Sequence, residues 1–135
     1  MDRLEDYIKL VNEACEIKDE IDIINAEMRC IKVGSDNTPV KGGGGGNKLD
    51  GLIDKKDKLS ADYELLMARA TAIKNRCERI LNSKEYEICS EIFFRGMGTE
   101  EAIRSLLDRE VIYDRNYGYK MRRKILARYG NLDYH

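Results

Sequence analysis

Apolar side chains near the start of the chain recur at alternating spacings of three and four residues. This alternation runs from Tyr7 to Ile31 without interruption, and it is typical of the seam of a coiled-coil helix. The pattern therefore predicts one long amphipathic helix. Its seam positions are Tyr7, Leu10, Ala14, Ile17, Ile21, Ile24, Met28 and Ile31.

The same alternation resumes at Leu49 and continues to Ile80, with Lys56 as its one charged position. If the chain folds back on itself, Ile21 faces Leu59, and the other layers from Ile31–Leu49 to Tyr7–Ile73 follow the same rule, that the two residue numbers add up to 80. A constant sum over seven layers is not expected of two unrelated amphipathic helices. We therefore predict a long antiparallel two-helix coiled-coil hairpin over residues 1–83.

The predicted bend of this hairpin covers residues 32–48. It contains the only proline, Pro39, and five consecutive glycines, Gly42 to Gly46. A phosphate-binding loop needs glycine directly before its lysine and Ser or Thr after it, whereas Lys48 is flanked by asparagine and leucine. Because glycine backbone is costly to order, we predict a flexible connection.

Residues 84–135 are predicted to form a small second domain of three short helices. Ser83 is expected to cap the first, the glycines at 96 and 98 to end it, Thr99 to begin the second, and Asp114 to cap a third that runs to about Tyr129. Extra apolar residues at the open end of the hairpin, including Leu4 and Leu81, predict that this domain docks there. Such lengths are typical of a helix-turn-helix-like bundle, so the predicted fold class is all-α.

Positive charge is concentrated in the third helix. Residues 113–135 carry six basic and two acidic groups, although the whole chain has a net charge of −1. These basic groups lie opposite the predicted apolar stripe of Tyr117, Met121, Ile125 and Tyr129, as in a helix that faces phosphates; an ordinary solvated helix face is the alternative. The candidate residues for binding nucleic acid or a partner are Arg115, Asn116, Lys120, Arg122, Arg123, Lys124 and Arg128.

The sequence gives little support for catalysis, metal binding or membrane insertion. The single histidine, His135, leaves no Ser/His/Asp or Cys/His set, and the four cysteines show no CxxC spacing, so we expect packed thiols and neither enzyme activity, cofactor nor metal. No apolar run approaches the roughly 20 residues of a membrane span. With no signal-peptide pattern at the N-terminus, we expect a cytoplasmic protein.

The segment from Phe93 to Ile103, FFRGMGTEEAI, resembles the first helix, turn and second helix of sigma-factor region four. The layout is similar to a phage-encoded family that joins a helical hairpin to such a helix-turn-helix, as in late transcription regulators of the ArpU and RinA type. The family's third helix opens with Ser and closes on Lys-Ala-Leu, matched here by Asp114 and by Lys124-Ile125-Leu126. The resemblance implies a phage or prophage DNA-binding transcription regulator in the host cytoplasm. Its third helix would contact duplex DNA, and its hairpin would form a homodimer or contact RNA polymerase.

Two features differ from that family. The turn over residues 107–113 is several residues longer than the family's Leu-Gly-x-Ser turn, and Gly118 falls inside the third helix, at a cost of about 1 kcal/mol relative to alanine. They keep a second hypothesis open, a phage-derived protein-binding module such as an anti-CRISPR-like inhibitor. Its partner would be a host or defence protein or a ribonucleoprotein, bound by the same basic helix or by the glycine tip.

Overall fold

A computed structural model describes residues 2–37 and 44–131, and within these ranges all regular secondary structure is helical. A 3-10 turn, Leu4–Asp6, precedes the first helix, and a π-helical turn, Ser90–Phe94, continues the third. The all-α class is confirmed for this part of the chain. The α-helices are α1 (Tyr7–Asn37), α2 (Gly44–Ile80), α3 (Ser83–Cys89), α4 (Thr99–Asp108) and α5 (Arg115–Asn131).

The two long helices extend into the predicted bend. Helix α1 continues to Asn37 and α2 begins at Gly44, so residues 32–48 contain more helix than predicted. The residue before a proline disfavours helical backbone. In the sequence, Thr38-Pro39 is therefore the first strong signal for the end of a helix after Ile31. The prediction of a flexible connection falls on Pro39, Gly42 and Gly43, which lie outside the described residues.

The chain divides into two compact units. Unit I consists of Met1–Val11 and Ala68–His135, and unit II is Asn12–Met67. The sequence analysis divided the chain once, at residue 83, with the whole hairpin on one side. In the structure, the start of α1 and the end of α2 instead belong to the same unit as the three short helices. Leu4 and Leu81 are buried within it.

In unit II, burial follows the predicted seam. Ala14, Ile21 and Ile24 are buried, and every other described seam position of this unit is half-buried. Ile23 and Leu65, which lie off the seam, are exposed. The predicted apolar stripes of both helices are therefore the protected ones.

In unit I, α5 packs against both α3 and α4, and the π-helical turn packs against α4. The start of α1 joins them through the ring of Tyr7, whose centroid lies 4.5 Å from that of Phe94. The end of α2 joins through Arg76, whose Nη2 donates to the carbonyl oxygen of Tyr129 at 2.9 Å. Within unit I, the start of α1 and the end of α2 therefore each contact the C-terminal helical segments.

Helix α3 is capped by Asn82, and the prediction of Ser83 was wrong by one residue. Asn82 Oδ1 accepts from the backbone N–H of Glu85 at 2.8 Å, and Glu85 Oε1 accepts from the backbone N–H of Asn82 at 3.0 Å. This reciprocal capping box needs an acidic or amide side chain three residues after the cap. Glu85 supplies it for Asn82, whereas Ser83 would have had Tyr86.

The next helix begins where the sequence predicts. Gly96 has a φ of 79°, in the left-handed region that glycine adopts without strain, and this conformation separates the π-helical turn from α4. Helix α4 begins at Thr99 with Glu100 and Glu101 in its first turn. Those carboxylates lie at the positive end of the helix dipole.

Candidate nucleic-acid interface

Helix α5 begins after Asp114, as predicted, and Asp114 Oδ1 accepts a hydrogen bond from the backbone N–H of Asn116 at 3.3 Å. Met121, Ile125 and Tyr129 are buried, whereas Tyr117 is 38% exposed. The predicted apolar stripe is therefore correct except at Tyr117. Gly118, one residue further on, occupies the buried position instead.

Gly118 permits a close approach between α5 and its neighbours. A Cβ atom at this position would lie 2.9 Å from Ile112 Cδ1 and 3.1 Å from both Cγ1 and Cγ2 of Ile103. Both isoleucines are buried, so the helix propensity lost to glycine, about 1 kcal/mol, is offset by packing. Gly118 was a difference from the family's third helix in the sequence analysis. In the structure, its lack of a side chain allows α5 to pack closely against α4.

Three of the predicted binding residues form ion pairs with carboxylates of α3 and α4. Arg128 Nη1 lies 2.8 Å from Glu85 Oε1, and Lys124 Nζ lies 4.0 Å from Glu85 Oε2. Arg115 pairs with Glu100 of α4. Two carboxylates, Glu85 and Glu100, therefore neutralise part of the charge that the sequence assigns to this helix.

Arg122 lies at the side of α5 and packs against the protein. Its Cζ atom is 5.6 Å from the centroid of the Phe93 ring, and its Nη2 is 3.9 Å from Glu5 Oε2. Its Nε is buried and has no hydrogen-bond partner among the described residues. Its guanidinium is thus only partly available to a ligand.

The remaining three predicted residues, Asn116, Lys120 and Arg123, are exposed. Their spacings of four and three residues place them on one side of α5, away from the buried Met121 and Ile125. Lys120 and Arg123 form no ion pair with any other described residue. We call Asn116, Lys120 and Arg123 the outward face of α5.

Sequence reasoning did not include two residues near this surface, Lys84 and Tyr113. Lys84 Nζ lies 6.0 Å from the centroid of the Tyr117 ring, and Tyr113 is 81% exposed. Lys84 belongs to α3, so only the packing of α3 against α5 brings it here. The sequence signal that could have identified Tyr113 is the unusually long turn over residues 107–113, at whose end Tyr113 lies.

A buried carboxylate, Glu91, joins the π-helical turn to α4 and its end. Its oxygens accept hydrogen bonds from Ser105 Oγ at 2.8 Å, from Arg95 Nη1 at 3.1 Å and from Arg109 Nη1 at 3.4 Å. Burial raises the pKa of Glu91, but the hydrogen bonds from Ser105 and Arg95 and the charges of both arginines outweigh it, so this pKa lies below its ordinary value. Arg95 and Arg109 therefore stabilise the folded state of unit I by pairing with Glu91.

The cysteines offer no metal site. Cys77 and Cys89 are buried, with their Sγ atoms 3.9 Å apart. Cys15 and Cys30 are exposed, so the expectation of packed thiols was wrong for these two, which lie beside the seam positions Ala14 and Ile31. In residues 2–37 and 44–131, no three His, Cys, Asp or Glu side chains form a group that could hold a metal ion.

Within the same ranges, no helix combines the length and the apolar character needed to cross a membrane. No protein-family model matches the chain, and no curated protein or solved structure is significantly similar to it. The geometry of α5 is therefore the basis for a functional proposal.

Proposed function

We propose that this protein is a DNA-binding regulator of the phage or prophage type that the resemblance implies, and that α5 contacts the phosphates of duplex DNA. One observation carries the proposal. Lys120 and Arg123 are exposed on the same side of a helix whose other side is buried, and no described carboxylate pairs with them. Asn116 completes that face, and asparagine can form two hydrogen bonds with the edge of adenine.

The ion pairs of α5 lead to a quantitative expectation. Each phosphate neutralised by a cation lowers the slope of log affinity against log salt by about 0.9 for duplex DNA. If the unpaired Lys120 and Arg123 make the main contacts, the slope should be about −2. Six equivalent contacts, one for each basic residue of the helix, would give about −5.

The experiment is a titration of duplex DNA with the protein over a salt series, followed by fluorescence anisotropy. We expect the variant Lys120→Ala/Arg123→Ala to lose about two units of slope and to keep its helical content. The variant Lys55→Ala/Lys58→Ala removes the same amount of charge from exposed positions of α2. It should bind DNA like the wild type, and equal losses in both variants would mean that only net charge matters.

A wild-type protein that fails to bind duplex DNA near 50 mM salt would end this proposal. The second candidate function, binding of a host or defence protein, would then be preferred. Tyr113 and Tyr117 favour it, because both are exposed and tyrosine is enriched at protein interfaces. In that case Tyr113→Ser should abolish capture of a specific host protein, while Tyr63→Ser, a change in unit II, should not.

For unit II we further propose the antiparallel hairpin with Ile21 opposite Leu59. The support is the burial of Ile21 and the partial burial of Leu59, each on the protected stripe of its helix. Cysteines at these two positions, in a protein without its native four, should form a disulfide within one chain. Preferred linkage of Ile21→Cys with a cysteine at position 62 or 66 would indicate a different register.

A further inference from the structure

Two buried cysteines of unit I lie in contact with each other. Cys77 belongs to α2 and Cys89 ends α3; both are fully buried, and their Sγ atoms are 3.9 Å apart. Beside them, Tyr86 Oη donates a hydrogen bond to Glu78 Oε1 at 3.2 Å, so a second pair of side chains joins the same two helices. Neither cysteine lies in α5, and the pair is therefore separate from the candidate nucleic-acid interface.

The two thiols are close enough to form a disulfide with little movement. A disulfide bond is about 2.05 Å long, so each sulfur atom would move by about 1 Å. Two groups held at contact distance also react with each other far faster than either reacts with a partner in solution. The π-helical turn Ser90–Phe94 begins directly after Cys89, and such turns occur frequently at functional sites.

The two thiols differ in acidity. The hydrogen bond that Cys89 donates lowers the pKa of Cys77 below its ordinary value, although burial acts in the opposite direction. The same hydrogen bond, together with burial, raises the pKa of Cys89. Because the thiolate is the nucleophilic form of cysteine, Cys77 is the thiol that reacts first, and Cys89 keeps its proton for the second step.

We propose that Cys77 and Cys89 are a site of reversible oxidation by peroxide, at which they form a disulfide between α2 and α3. In the first step the Cys77 thiolate attacks one oxygen of hydrogen peroxide and the O–O bond breaks. The products are a sulfenic acid on Cys77 and hydroxide, which takes up the proton that Cys77 had released and becomes water.

In the second step the Cys89 sulfur attacks the sulfenic sulfur and the S–O bond breaks. The leaving hydroxide takes the proton of Cys89 and becomes the second water molecule. The two thiols thus lose two electrons together, and one peroxide molecule is reduced to two molecules of water. A small thiol reverses the reaction by thiol–disulfide exchange, in which two of its molecules are oxidised to one disulfide.

The disulfide closes a loop over residues 77–89 of unit I. A cross-link of this kind restricts the unfolded chain, so oxidation should raise the melting temperature by about 5 to 10 °C. Because α3 packs against α5, the bond also connects α2 to the helix on which α5 rests. The proposal does not depend on DNA binding by α5, and its test contains no DNA.

The test uses the full chain with Cys15→Ser and Cys30→Ser, because these two cysteines are exposed and would react as well. The folded protein is treated with hydrogen peroxide, and the remaining free thiols are then blocked with a maleimide. Digestion with trypsin, without reductant, should give one linked product of residues 77–79 and 85–95, whose ends are set by the surrounding arginines and lysine. The melting temperature should rise as above, and dithiothreitol should restore the original value.

The matched control is Cys77→Ala/Cys89→Ala, which keeps the exposed Cys15 and Cys30. These two are about 22 Å apart along α1, so they can link only different chains. The control should form dimers in peroxide but no link within a chain, and its melting temperature should not rise. Cys89→Ala, in the protein without Cys15 and Cys30, should stop at a sulfenic acid on Cys77, which dimedone traps.

Three results would overturn the proposal. The pair could stay reduced in the folded protein after prolonged peroxide treatment, or the linked product could form only when urea is added. The third is oxidation of Cys77 to the sulfinic acid without any linkage to Cys89. All three are measured by mass on the protein that retains both cysteines of the pair, so they do not depend on whether a Cys77 or Cys89 variant folds.

Discussion

The two units of this protein are held together in different ways. The buried side chains of unit II are aliphatic, as at Ile21 and Ile24, and its ion pair Lys18–Asp22 is exposed. Unit I buries charged side chains as well, among them Arg76 and Glu91, and pairs them with groups from other helices. Unit II is protected along one apolar stripe of each long helix, whereas unit I combines apolar packing with specific polar contacts between its helices.

The largest effect should come from the seam of unit II. Ile24 is 3% exposed and its neighbour Ile23 is 58% exposed, so the two positions compare the same side chain on and off the stripe. Ile24→Ala should lower the free energy of unfolding by about 3 kcal/mol, and Ile23→Ala by less than about 0.5 kcal/mol. Urea denaturation followed by circular dichroism measures both, and similar losses would show that the stripe does not form the core of this unit.

A glycine from each unit tests the role of close packing. Gly118→Val should destabilise the protein by about 2 kcal/mol, because its side chain would overlap Ile103 and Ile112. Gly51 lies in α2 with no atom within 4 Å of an added Cβ, so Gly51→Ala should stabilise by up to about 1 kcal/mol. The same urea experiment applies, and a stabilising Gly118→Val would contradict the close contact between α4 and α5.

The buried Glu91 should make unit I sensitive to acid. Because its pKa is lowered in the folded state, its contribution is complete above the unfolded-state pKa of about 4.3 and is lost as the pH falls through the folded-state pKa. Glu91→Gln should cost about 1.5 kcal/mol at pH 7 and should reduce the loss of stability in acid. Glu87→Gln is the control, since Glu87 is exposed and pairs only at the surface with Arg109; equal pH profiles for both variants would exclude a special role for Glu91.

The smallest effect is expected at the surface of α1. Lys18 Nζ lies 3.5 Å from Asp22 Oδ1, and both side chains are more than half exposed. Asp22→Asn should therefore cost only about 0.3 kcal/mol at low salt and nothing measurable at 1 M salt. Asp19→Asn, at an exposed position without an ion pair among the described residues, provides the baseline, and a cost above about 1 kcal/mol would mean that charge contributes more to unit II than its apolar stripe suggests.

Part of the candidate site was predictable from local sequence. The start of α5 after Asp114, the burial of Met121, Ile125 and Tyr129 and the exposure of Lys120 and Arg123 all follow from helical periodicity. The availability of the other cations did not follow, because their partners lie far away in the chain. Glu85 of α3 pairs with Arg128, and Glu5 near the N-terminus pairs with Arg122.

The sequence by itself determined the helical class, the protected stripe of each long helix and the beginnings of α4 and α5. These features depend on residues only a few positions apart, for example on the helical periodicity of apolar residues and on the acidic first turn of α4. A short segment of sequence is therefore enough to predict them. Only the tertiary structure decided that Gly118 is a contact point, that Tyr117 is exposed and that Cys77 lies beside Cys89. Each of these depends on which helices lie side by side, and the physical reason is that packing and charge neutralisation act between groups that are close in space, whatever their separation along the chain.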